Sequence, residues 1–151
     1  MRLLLLCLAA TLASCSGIKS STPVNNMMDA LIAKDSMKEF KNVQGGGVTI
    51  QGHSIYLRLQ ADEALIKKYF DDKTVYRSAG CADVLSRLDG SRIEEYKKAS
   101  VGFIDFSPKW NPNAVKQKRC LRGEPKLHWG GTNFVLIDQE TFVVYLYSIG
   151  T

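Results

Sequence analysis

The sequence predicts an α+β fold, an antiparallel sheet from two hairpins and one further strand, with about three helices and one disulfide. Three observations predict it. Near the end of the 151-residue chain, residues 133–138 and 141–148 form two apolar runs separated only by Gln139 and Glu140, the pattern of a hairpin. Between residues 48 and 60, Ile55, Leu57 and Leu59 alternate with Tyr56, Arg58 and Gln60, the pattern of a second one. The order of elements, helix, hairpin, helices, strand, hairpin, with short connections, argues against a parallel sheet.

Taken in order, Thr22-Pro23 offers an N-cap followed by proline at the first helical position. Val24, Met27, Met28, Leu31 and Ile32 follow at helical spacing and make one apolar face. Phe40 extends this helix toward Lys41, and Gly45, Gly46 and Gly47 are expected to end regular structure and act as a hinge. Such a face packs on its own domain in the ordinary case. In the sharper case the Met-rich stripe of Met27, Met28 and Leu31 docks on a partner, because methionine adapts to varied surfaces.

In the first hairpin Gly52-His53 is the expected turn, which makes His53 an exposed loop residue. Residues 61–70 then turn helical, with Asp62 and Glu63 at the start, Lys67 and Lys68 at the end, and Ala64, Leu65 and Tyr69 toward the core. A second helix over residues 82–88 presents Val84, Leu85 and Leu88 and stops at Gly90. Ser91 and Glu94 have capping-box spacing and start a third helix, running to about Ala99. Residues 101–106 read as a strand, and 126–129 as a short one.

Between those strands residues 107–125 read as a long loop. Lys109, Lys116, Lys118, Arg119, Arg122 and Lys126 lie in or beside it, opposed only by Glu124. A solvated loop is its ordinary meaning. Its functional meaning is a basic surface with Trp110 as an anchor, suited to an acidic protein groove or anionic lipid. The terminal hairpin is apolar on both faces, so either both are covered or one is an interaction surface.

The first fifteen residues carry an address. Arg2 precedes an apolar run over residues 3–10, too short to span a bilayer, and Leu12-Ala13-Ser14-Cys15 follows it. This segment resembles the signal peptide and lipobox of bacterial lipoproteins. The resemblance implies cleavage before Cys15, lipid on the Cys15 sulfur and amine, and, from Ser16, sorting to the outer membrane of a Gram-negative host. The expected organisation is a removed signal peptide (1–14), a lipidated tether (15–22), an amphipathic helix with its glycine hinge (23–44) and one α+β domain (45–151). Several acyl chains, at about 0.8 kcal/mol per buried methylene, make a stable anchor.

Removing residues 1–14 leaves 137 of 151 residues, enough for one domain, and costs one basic residue, so the net charge falls from +5 to +4. That surplus favours acidic surfaces, and export argues against nucleic acid. Cys7 leaves with the signal and Cys15 takes the lipid, so Cys81 and Cys120 remain as a disulfide pair in an oxidising compartment. No cofactor or metal is expected, since phosphate-loop, dinucleotide and zinc spacings are absent from the sequence. The expected function is a non-enzymatic, protein-binding accessory lipoprotein facing the periplasm. A protective protein against a toxin, lysozyme-like enzyme or phage is the alternative, and an envelope hydrolase using His128 the third.

Overall fold

Short apolar alternations dominate the chain, and they assemble into one sheet. The structure is a computed structural model and describes residues 31–33, 36–48, 53–91, 93–94, 109–124 and 131–150. In chain order the strands are β1 (Lys41–Val48), β2 (His53–Gln60), β3 (Tyr76–Ser78), β4 (Lys118–Gly123), β5 (Thr132–Asp138) and β6 (Val143–Gly150). The helices are α1 (Glu63–Phe70) and α2 (Cys81–Arg87), and single 3-10 turns occupy Ser36–Lys38 and Pro112–Ala114. The six strands lie in the order β1-β2-β6-β5-β4-β3, every neighbouring pair antiparallel. The fold is α+β, as the sequence predicts, with β3 and the strand character of β4 added and the first strand of the first hairpin at Lys41–Val48 instead of after Val48.

Both faces of the sheet are apolar because both are covered. On one face Ile55, Leu57 and Leu59 of β2, Val144 and Leu146 of β6, and Val135 and Ile137 of β5 meet Ile66 and Phe70 of α1, together with Leu31 and Phe40. On the other, Tyr56, Phe134, Leu136, Tyr145 and Tyr147 meet Val84 of α2, Leu88 and Ile93. Tyr56, Tyr147 and Phe134 are register partners across three strands, and their rings stack at centroid distances of 4.4 and 6.2 Å. Cys81, the first residue of α2, is bonded to Cys120 of β4, which fixes that helix to the sheet.

Several expectations are corrected. Gly45, Gly46 and Gly47 are no hinge: they are buried within β1 and pair with Leu57, Tyr56 and Ile55. Glycine is needed there by close approach, since a Cβ on Gly47 would stand 2.2 Å from the Ser54 carbonyl oxygen. The N-terminal helix does not reach Lys41, because a 3-10 turn and then β1 occupy that stretch. Leu31 is helical and only 2% exposed, so it belongs to the core. Met27 and Met28 lie outside the described residues, as do Cys15, His128 and the strands expected at 101–106 and 126–129.

Helix α1 is capped by Asp62, which accepts from the Leu65 amide at 2.9 Å. It buries Ile66 and Phe70, while Ala64 is exposed and Leu65 and Tyr69 are half-buried, so the inward face is rotated from the expected one. The third helix begins at Gly90, with residues 95–99 outside the description. Its start is capped by Asp89, whose carboxylate accepts from the Ser91 amide at 3.1 Å and hydroxyl at 2.8 Å, one cap earlier than expected.

Candidate functional site

The basic segment is the site the sequence points to, and the structure divides it. Lys118, Arg119 and Arg122 belong to β4 and not to a loop. Charge hid the strand: its apolar content is Cys120 and Leu121, both buried, and its remaining side chains are long cations that reach solvent from a sheet surface. Lys116 is exposed just before the strand. The Lys118 ammonium donates to the Val115 carbonyl. Trp110 is an internal anchor: its indole N–H donates to the Leu88 carbonyl at 3.1 Å, and its ring meets Tyr56 and Tyr145 edge-on at 5.7 and 5.2 Å. It therefore packs α2 onto the sheet.

What remains is a cationic sheet edge formed by β3 and β4. On the α1 side of the sheet an open cleft of about 500 Å³ lies between the end of α1, β3 and β4. Phe70, Tyr76 and Leu121 give it apolar surface, and Asp71, Lys73, Arg77 and Arg119 give it charge. Arg119 Nη2 lies 2.6 Å from Asp71 Oδ1, a partly exposed pair worth about 0–1 kcal/mol. On the other side of the sheet Arg77 and Arg122 stand directly opposite each other. Like charges so placed are destabilising. The Arg122 guanidinium lies 5.7 Å from the Phe134 ring centroid, where Arg87 of α2 also approaches at 5.3 Å, so this face is cationic over an aromatic.

Tyr76 sets the shape of the cleft. Its ring crosses Gly123, its register partner on β4, and its hydroxyl accepts from Asn133 Nδ2 at 3.1 Å. A Cβ on Gly123 would fall 2.4 Å from that ring. Asn133 is fully buried and also donates to the Leu31 carbonyl at 3.3 Å. Burial raises the Tyr76 phenol above its usual 10.0, so it stays protonated.

A second polar group lies nearby in the core. His53 is in β2, not in a turn, and is 5% exposed; its Nε2 stands 2.9 Å from the Oγ of fully buried Ser148. Gly131, at φ 151°, leaves room for the imidazole, since a Cβ there would lie 2.9 Å from His53 Cε1. Burial lowers the His53 pKa below 6.5, so the fold holds the ring neutral. The unfolded chain takes up the proton first, so stability is full above pH 6.5 and is lost as pH falls from there toward the lower folded value. The unfolding midpoint should begin to drop as pH falls below 6.5, before carboxylates such as Glu39 and Asp72 titrate, and His53→Gln should flatten that slope. An equal slope in the variant refutes this assignment.

Sequence reasoning found Arg119 and Arg122 through their charge density and missed Lys73, Tyr76, Arg77 and Ser78. Thr74, Val75 and Tyr76 are strand-favouring residues in a row, and that was the available signal for β3. Pairing Arg77 with Arg122 needs the register, which no local pattern contains. No known protein family, curated protein or solved structure matches this chain.

Proposed function

We propose that this chain is a lipoprotein anchored in the outer membrane through Cys15, facing the periplasm, and acting as a non-enzymatic component that binds another protein. The observation that carries the reading is Leu12-Ala13-Ser14-Cys15 behind a short apolar run and a single Arg2. The Cys81–Cys120 disulfide supports it, since such bonds persist in exported proteins. A cationic edge above a stacked aromatic row supports a binding role, with an acidic protein surface as the complementary partner. No helix among the described residues is long and apolar enough to cross a membrane, and lipid on Cys15 supplies the attachment.

The test is affinity capture from crosslinked envelopes, with Cys15→Ala as the control. The native chain should fractionate with outer membrane and bring down one stoichiometric protein, and the variant should lose both. A chain that stays membrane-bound without Cys15 refutes the anchor, and capture of nothing refutes the binding role.

A further inference from the structure

Among the described residues the cationic edge has an open backbone as well as charge. β3 is the last strand of the sheet among the described residues, and Arg77 and Ser78 on it are exposed. The Glu124 amide donates to the Val75 carbonyl and the Ala79 amide to the Cys120 carbonyl, so by the antiparallel alternation Val75, Arg77 and Ala79 direct their backbone groups at β4. Tyr76 and Ser78 then direct theirs outward. The Tyr76 amide is taken by the Asp72 carbonyl at 2.8 Å, which leaves the Tyr76 carbonyl and both Ser78 backbone groups facing outward.

Building on the binding role proposed above, we infer that the β3 edge accepts an extended acidic segment of the partner protein as a seventh, antiparallel strand. Such a strand would take main-chain bonds from Tyr76 and Ser78, and its side chains would alternate between the two faces of the sheet. One set would approach the cleft with Lys73 and Arg119, and the other would approach Arg122, with Arg77 opposite Arg122 in register and also bordering the cleft. Cations therefore stand on both sides of the incoming strand, with Asp71 as the single carboxylate at the cleft. The directly opposed arginines have no carboxylate partner among the described residues, and acidic side chains would relieve their repulsion. A lipid headgroup could answer the charge, but it carries no strand backbone to meet Ser78.

The test is fluorescence anisotropy of a labelled glutamate- and valine-rich peptide against the full-length protein in detergent. The peptide should bind, more weakly as salt rises, and the same peptide with lysine for glutamate should not. Arg77→Glu should weaken binding about tenfold or more, equivalent to about 1.4 kcal/mol. Ser78→Pro removes an outward amide without touching a bond to β4, so it should weaken binding about as much at an unchanged unfolding midpoint. Because this variant keeps the charge and the ladder, it decides the matter even if Arg77→Glu disturbs folding. Peptide binding unaffected by Ser78→Pro overturns the inference. So does absence of peptide binding, whether the edge instead takes phosphatidylglycerol vesicles or a second copy of the chain. If envelopes yield the same captured protein with Ser78→Pro as with the native chain, the binding role stands and only its placement on β3 falls.

Discussion

Replacing Cys81 and Cys120 together by alanine should lower the unfolding midpoint by about 12–16 °C. The bond joins residues 39 apart, and the chain-entropy account gives roughly 4 kcal/mol for a loop of that length, within a usual range of about 2–5. A domain of this size loses about 3–4 °C per kcal/mol. The loss is also local, because the bond fixes α2 to β4, and α2 supplies Val84 to the core on that face. Differential scanning calorimetry with and without reductant checks this without mutagenesis. Cysteines that become thiol-reactive at an unchanged midpoint would mean that packing, not the bond, holds α2.

Gly123→Ala should be strongly destabilising, at about 2–6 kcal/mol. Its Cβ would meet Tyr76 Cδ1 at 2.4 Å, Cε1 at 2.6 Å and the Val75 carbonyl at 2.8 Å. Overpacking of this kind costs about 1–3 kcal/mol. Moving the ring away also breaks the bond from Asn133 Nδ2 to the Tyr76 hydroxyl, and a buried polar group left unmet adds about 1–3 kcal/mol. Asn133 is poorly placed to absorb that, since its Oδ1 is already buried without a partner. The check is chemical denaturation of Gly123→Ala beside Tyr76→Phe, which removes the hydroxyl and keeps the ring. Similar losses in the two would assign the whole cost to the hydrogen bond, and no loss in Gly123→Ala would show that β3 simply moves aside. Gly47→Ala should also be strongly destabilising, since its Cβ would meet the Ser54 carbonyl oxygen at 2.2 Å and Ile55 Cα at 2.8 Å, both of them backbone atoms.

These two sites show what was legible in the chain and what was not. The terminal hairpin announced itself because β5 and β6 are buried on both faces and so are nearly continuous in apolar residues. α1 and α2 were placed within two residues by their caps and spacing, and the cysteine pair by arithmetic and compartment. β1 was illegible because three of its eight residues are glycines, which carry no side chain to display an alternation. β4 was illegible because cations flank its two buried apolar side chains, Cys120 and Leu121. His53 was misplaced because glycine-histidine between two apolar runs is turn chemistry locally, and only the approach of Ser148, 95 residues away, makes it a core position. At the candidate site the charges could be read, but the edge that organises them could not. A sheet edge is defined by what fails to pair, and that is a property of the whole topology.

The position of β6 has a kinetic meaning. The β1–β2 hairpin is joined to the rest of the sheet through β6, which lies between β2 and β5 and is the last strand in the chain. Tyr56 waits for Tyr147, and nearly the whole domain must emerge before that contact exists. As the chain is made, the early hairpin can rest Ile55, Leu57 and Leu59 on Ile66 and Phe70 of α1, which follows it directly, but the free edge of β2 has no strand to pair with until β6 is complete. The last strand among the described residues therefore closes the sheet, and until it does the β2 edge is an open template for wrong pairing.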